Sequence, residues 1–252
     1  MTRTRGLALA LILATACTSA PASVDDVDPT GPTLATAASG ATGPTAPSPT
    51  PEPRRAHLFG RIRSISPALA IEMTGTTWEP GCPVALEDLR LLRFNYLGFD
   101  GEIHRGPLVV HASVAKDVLG VFGQLFDAGF PLKHVALARR WRPNAPTDTT
   151  RSVTAAFNCR PALNPDGTPG GSWSEHAYGL AVDVNPLQNP YVAEDGSVLR
   201  PAAQAYVDRS QGLPGMIHAG DMVVRAFAAI GWEWGGDWDG KKDYMHFSLR
   251  GR

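Results

Sequence analysis

The sequence predicts an α+β fold, a small and mainly antiparallel sheet with flanking helices. Three observations predict it. Apolar residues recur at helical spacing in two stretches, one after Ser113 and one after Asp221. Short β-type runs occur at Leu108 to His111, His134 to Ala138, Leu180 to Val184 and Met245 to Leu249. The two kinds of element mix without the strict strand–helix alternation of a parallel sheet.

The chain has 252 residues, with 23 Lys plus Arg against 24 Asp plus Glu, a formal charge of −1. That balance excludes a strongly basic nucleic-acid binder and a polyanionic tail. Arg3 and Arg5 precede an apolar run, Gly6 to Ala16, with small residues just before Cys17. This is the pattern of an export signal over 1–16. A run of eleven residues is too short to cross a bilayer core of about 30 Å as a helix. Leu13-Ala14-Thr15-Ala16-Cys17 resembles a bacterial lipobox, whose cysteine carries lipid, although Leu stands one place earlier than usual. The expectation is a cell-envelope protein, lipid-anchored through Cys17 to the outer face of the membrane and otherwise secreted.

Segment 17–55 follows as a tether. Between residues 18 and 53, Pro, Thr, Ala, Ser and Gly make up 29 of 36 positions, with no aromatic residue and no Lys or Arg. Such a stretch buries too little apolar surface to offset its ordering entropy. All six Trp come later, so the folded unit is 56–252, near neutral in charge. Two cysteines remain in it, Cys82 and Cys159. In an exported protein such a leftover pair reads as a disulfide.

Within the folded unit, Leu86 to Phe94 reads as a short helix. Val114, Val118, Val121, Phe122 and Leu125 define a longer one, with Ser113 as its N-cap and Gly129 and Pro131 at its end. The stretch Pro143 to Trp173 is rich in Pro, Gly, Thr and Asn and reads as a long loop of functional type. The last helix starts at Asp221, buries Val223, Val224, Phe227 and Ile230, and stops at Gly231.

Two of the seven histidines stand in unusual company. In Ser174-Glu175-His176-Ala177-Tyr178-Gly179-Leu180-Ala181-Val182-Asp183-Val184, Gly179 permits a tight turn before a β-type run. Alternation places Leu180, Val182 and Val184 on one face, and Ala181 and Asp183 on the other. A carboxylate among apolar residues is costly unless it is paired or bound to a cation. A metal removes that cost, and His176 is close enough in the chain to share it. The second group is Asp243-Tyr244-Met245-His246-Phe247. Asp243 lies three residues before His246, so in an ideal strand the two side chains point to opposite faces. Asp243 then belongs at the start of the strand, leaning over the metal without joining it. Two His and one Asp with a position left open is the pattern of a catalytic zinc, whereas a structural zinc takes four protein ligands.

Ser174-x-His176-x-x-Gly179-x-Ala181-x-Asp183, together with Asp243-x-x-His246, resembles the M15 peptidases. These comprise D-alanyl-D-alanine carboxypeptidases, D,D-dipeptidases and phage L-alanyl-D-glutamate endopeptidases, with structural kinship to lysostaphin and the hedgehog domain. The runs Phe157-Asn158-Cys159-Arg160 and Asp183-Val184-Asn185-Pro186 look most like the D-alanyl-D-alanine carboxypeptidase-like subgroup. The resemblance implies a single zinc cleft with one zinc per chain, held by His176, Asp183 and His246, with Asp243 as general base. It also implies an upstream Arg for the substrate carboxylate or the developing oxyanion. Arg160 matches best, ahead of Arg139, Arg140, Arg142 and Arg151. Ser174 is assigned to orienting substrate or ligand, and Tyr178 and Trp173 to the cleft walls.

The implied activity is hydrolysis of peptidoglycan stem peptides, by a monomer that touches the membrane only through its anchor. The rival readings are an endopeptidase cutting inside the stem peptide and a non-catalytic zinc-containing wall-binding domain. A binding relic has no need of a base three residues before its last ligand, and Asp243 is present. Asp237-x-Asp239-Gly240 with Asp243 lacks the twelfth-position Glu of a calcium loop. Gly167 to Gly171 is not followed by the Lys of a phosphate loop. The expected disulfide removes Cys159 as a nucleophile.

Overall fold

The structure is a computed structural model that describes residues 60–138, 151–164 and 168–251. Cys17, the export signal, the tether, and Arg139, Arg140 and Arg142 lie outside the described residues.

The first sheet consists of β1 (Gly60–Ser64), β2 (Leu89–Leu97) and β3 (Ile103–His111), antiparallel in that order. β2 and β3 pair in continuous register from Leu89↔His111 to Leu97↔Ile103. The expected helix over Leu86 to Phe94 is therefore wrong. Only Leu86–Asp88 turns, as a single 3-10 turn, and the chain then extends. The apolar residues of this stretch serve the two faces of a doubly covered strand, which obscures the period of two. Leu92, Phe94 and Tyr96 pack toward α2 (Ala115–Asp127), whereas Leu89 and Leu91 pack with Leu69 and Met73 of α1 (Pro67–Met73).

α1 opens with Pro67 behind Ser66, whose hydroxyl accepts the Leu69 N–H at 3.2 Å, satisfying a donor that the helix itself leaves free. The helix expected after Ser113 is present, but its cap is not Ser113. His111 Nδ1 accepts the Ser113 N–H at 3.2 Å and starts a 3-10 turn that leads into α2. The strand expected at His134 to Ala138 is reduced to one bridge, Val135↔Thr154.

The second sheet has the order β6 (Ala181–Asp183), β10 (His246–Ser248) and β8 (Glu233–Trp234), antiparallel throughout. Val182, Val184, Trp234 and Phe247 turn inward to the same core as α2 and α3 (Met222–Ala228). Phe227 stacks on Phe247 at 4.1 Å, and Phe94 on Phe122 at 4.5 Å. All four rings are within 1% of full burial, each worth about 1.5–3 kcal/mol in area removed from water. Asp221 caps α3 by accepting from the Val223 and Val224 N–H groups at 2.9 and 3.0 Å, as expected.

Two further pairs complete the sheets: β4 (Pro161–Leu163) with β5 (Pro169–Trp173), and β7 (Tyr191–Val192) with β9 (Lys242–Asp243). The α+β class holds, with four small antiparallel sheets among the described residues in place of one. No described helix is long and apolar enough to cross a membrane.

Residues 154–160, inside the expected long loop, act as a strap between the two larger sheets. Ala155 exchanges backbone hydrogen bonds with Asp183 at 3.1 and 2.9 Å, and Phe157 N–H donates to Val109 O at 2.9 Å. Cys159 N–H donates to Thr77 O at 2.9 Å. Its sulfur joins Cys82, with the two Cα atoms 5.9 Å apart, as the leftover pair predicted.

Candidate metal centre

Ser174 begins the 3-10 turn Glu175–Tyr178, its hydroxyl accepting the His176 N–H at 3.3 Å. That hydroxyl therefore orients a ligand-bearing turn through its backbone. Gly179 closes the turn at φ 68°, and its carbonyl accepts the His111 N–H at 2.9 Å. A Cβ at this position would stand 2.6 Å from His111 N. Only glycine combines the left-handed backbone with that approach.

The turn delivers His176, buried to 4% exposure, against β6. Its Nδ1 lies 2.7 Å from Ala156 O, on the strap. A carbonyl only accepts, so Nδ1 carries the proton, and Nε2 of the neutral ring presents a lone pair. That Nε2 is 3.2 Å from Asp183 Oδ1. From the other side, His246 faces Asp183 across the β6–β10 register, with Nδ1 3.2 Å from the same oxygen. One nitrogen of each histidine and one oxygen of Asp183 all lie within 4.8 Å of one another. The alternation read from Leu180 to Val184 is correct: Val182 and Val184 enter the core and Asp183 turns to the histidines.

These residues fit a zinc ion. Two ligand atoms about 2.1 Å from a tetrahedral ion stand roughly 3.4 Å apart, close to the nitrogen–oxygen spacings seen. With the ring neutral, the His176 lone pair and the Asp183 oxygen point at each other, an arrangement that suits a cation held by both. The carbonyl behind His176 is the outer-shell partner such a ligand requires.

Asp243 ends β9 opposite Tyr191, in a different sheet from β10, so it does not open the strand that carries His246 as the sequence reading placed it; the chain turns through Tyr244 and Met245 between the two. Its Oδ1 is buried with no hydrogen-bond partner among the described residues. Burial pushes its carboxyl up to about 7, with the His246 ring opposing and the Asp183 charge reinforcing the shift. Gly235 makes room for it: a Cβ there would lie 2.5 Å from Asp243 O and 2.9 Å from Asp243 Cβ. Asp183 behaves oppositely. Burial raises its carboxyl, but the charges and hydrogen bonds of His176 and His246 outweigh this and hold it well below the usual range.

Arg160 joins the group. Burial lowers its guanidinium pKa, and the charges of Asp183 and Asp243 oppose that shift. Its Nη1 donates to Pro161 O at 3.2 Å, while its carbonyl accepts the Ser174 N–H at 3.2 Å. Of the rival arginines, Arg151 is described, and its carbonyl accepts from Arg200. Tyr178 lies under the Arg250 guanidinium, 5.3 Å from it, and Trp173 is 39% exposed on the β4–β5 hairpin. The aromatic residue against the centre is one the sequence reasoning missed: Trp238, whose ring centroid is 5.6 Å from that of His246. The Gly-rich turn around it was the available signal. The Ala156 carbonyl was missed too, because a backbone group leaves no trace in composition.

A fold with two histidines and an aspartate converging beside a buried second carboxylate defines a candidate metallohydrolase site. Residues 167–249 match the M15 peptidase family model described as D-alanyl-D-alanine carboxypeptidase, which bears out the resemblance read from the motifs. The matched segment contains His176, Asp183, Asp243 and His246; Arg160 precedes it. The match supports a hydrolase of the cell-wall peptidase type. No curated protein and no solved structure gave a match.

Proposed function

We propose that the protein is an exported, zinc-dependent peptidase of peptidoglycan stem peptides, acting as a D-alanyl-D-alanine carboxypeptidase. The observation that carries the proposal is the convergence of His176 Nε2 and His246 Nδ1 on one oxygen of Asp183, within the segment that matches the peptidase family. His176, Asp183 and His246 hold the ion. Zinc, when bound, supplies Lewis acidity that polarises the scissile carbonyl and lowers the pKa of water toward about 7.

The chain's own residues do the rest. Asp243 Oδ1, buried and without a hydrogen-bond partner among the described residues, accepts the proton of the attacking water and returns it to the leaving amine. Arg160 binds the substrate carboxylate or the developing oxyanion. Ser174 and Gly179 hold the turn that aims His176. The export signal, lipidated Cys17 and the tether carry the domain to its polymeric substrate in the envelope.

The test is incubation of the purified protein with defined muropeptides, read by mass, beside metal analysis. Loss of a terminal D-alanine with one zinc per chain is the expected result. Products cut inside the stem peptide would support the endopeptidase reading. A folded, metal-free and inactive protein that gains nothing from added zinc would overturn the proposal.

A further inference from the structure

One cation beside the metal centre has no task in the peptidase reading. Lys241 directly precedes β9 and stands two residues before Asp243. Its amine lies 5.4 Å over the Trp238 ring, and that ring lies 5.6 Å from the ring of His246. The two contacts place the amine within about 11 Å of the His246 ring, the span of roughly three extended residues. Its charge acts on the Asp243 carboxyl, as that of Arg160 does.

The surroundings leave this amine to a partner from outside the chain. The neighbouring Lys242 is engaged: its amine donates to Trp238 O and ties the turn to β9. Lys241 is half-buried, with its stem packed and its head free to reach solvent. Asp237 and Asp239 of the same turn are exposed, and a Cβ on Gly240 would stand 2.5 Å from Glu194 Oε1. None of these three carboxylates is in ion-pair contact with Lys241 among the described residues. Trp238 Nε1–H is buried with no acceptor among the described residues. A cation without a carboxylate and a donor without an acceptor thus stand together beside a metal ligand, and an anionic oxygen answers both.

Arg160, the other cation of the centre, lies on a different segment, just ahead of β4. With Arg160 given to the carboxylate of the leaving residue, Lys241 falls to the acyl side. In a peptide ending in D-alanyl-D-alanine, the first acyl-side residue has only a methyl side chain. The residue before it is the first that can carry a charge, and it lies within the span set by Trp238.

We propose that Lys241, on its Trp238 platform, is a specificity-determining residue that binds a carboxylate on the second substrate residue before the scissile bond. The proposal rests on the carboxypeptidase reading, which sets the register of the substrate.

The probes are acetyl-L-glutamyl-D-alanyl-D-alanine and its amide counterpart, acetyl-L-glutaminyl-D-alanyl-D-alanine, with the full-length, zinc-loaded protein. Wild type should favour the glutamyl peptide about 5-fold in kcat/KM at low salt, chiefly through KM, the upper range for an exposed ion pair. The preference should shrink in about 1 M salt. Lys241→Gln should remove it, Lys241→Arg should keep it, and Lys241→Glu should reverse it. Calorimetric titration of both peptides into Asp243→Asn reads the same subsite without cleavage. There the glutamyl peptide should bind more tightly, and adding Lys241→Gln should abolish the difference. Equal kcat/KM for the two peptides in wild type, or a preference that Lys241→Gln retains, overturns the proposal. If neither peptide is cut, the carboxypeptidase reading fails and the titration decides the subsite alone. A glutamyl preference in binding that depends on Lys241 then upholds it, and the absence of one overturns it.

Discussion

His246 faces Asp183 across the β6–β10 register, and its Nδ1 lies 3.2 Å from Asp183 Oδ1, the oxygen that His176 Nε2 also approaches at 3.2 Å. Strand pairing fixes one histidine and a capped turn fixes the other. Only the carboxylate between them is shared, and this gives Asp183 and Asp243 separable roles.

Asp183→Ala should lose zinc and activity together and lower the melting temperature, because two histidines hold zinc poorly and metal binding is linked to folding. Asp243→Asn should keep near-stoichiometric zinc and lose roughly 10²–10⁴-fold in turnover, the usual worth of a positioned general base. Zinc content measured beside turnover distinguishes the two roles. An Asp243→Asn variant without zinc, or with undiminished turnover, contradicts the division.

The buried Asp243 carboxyl also makes stability depend on pH. Unfolded, it ionises near about 3.9; folded and metal-free, it is pushed up to about 7. Between those values the unfolded chain releases a proton that the folded chain keeps. The stabilising contribution is complete below the lower value and is lost as pH rises through the upper one. A neighbouring divalent cation favours the ionised form and reduces the loss. In calorimetry, the metal-free protein should melt at a lower temperature at pH 8 than at pH 5. Asp243→Asn should flatten that slope, as should zinc. An equal slope in the variant would mean that another group is responsible.

The metal centre was more legible than the frame around it. Leu180 to Val184 alternates cleanly, because one of its faces is core and the other is the site. That alone directs Asp183 toward His176 and away from Val182 and Val184. β2 was misread because Leu89 and Leu91 pack under α1 while Leu92 and Phe94 pack under α2, so apolar residues fill both faces. The Ala156 carbonyl behind His176 depends on a strap twenty residues away in the chain. No local pattern encodes that contact. Ser113 is not a cap because the turn begins two residues earlier: the His111 imidazole nitrogen accepts the Ser113 N–H, and the chain enters α2 through a 3-10 turn.

Gly179→Ala should destabilise the protein and misplace His176. Its φ of 68° costs a non-glycine residue about 1–2 kcal/mol, before any contact with His111 N is counted. For a domain of this size, that lowers the melting temperature by roughly 2–8 °C. Zinc affinity should weaken as well, because the turn carries His176. A variant with unchanged melting temperature and unchanged zinc affinity would show that the turn tolerates a side chain.

The Cys82–Cys159 bridge should matter for activity as well as stability. Its sequence separation of 77 corresponds to a loop-closure contribution of about 4 kcal/mol in the chain-entropy model. Cys159 also precedes Arg160 directly, and the Arg160 carbonyl accepts the Ser174 N–H that begins the histidine turn. The strap is held here by the disulfide and by Cys159 N–H to Thr77 O. Replacing both cysteines with serine should lower the melting temperature. It should also lower kcat/KM, since Arg160 is assigned to the substrate carboxylate or the developing oxyanion while the zinc ligands lie on other segments. Zinc content should stay near one per chain. Unchanged kinetics in a clearly destabilised double variant would confine the bridge to stability and remove Arg160 from its dependence on Cys159. A variant that lost zinc would instead mean that the strap holds the whole centre together, through Ala156 and His176.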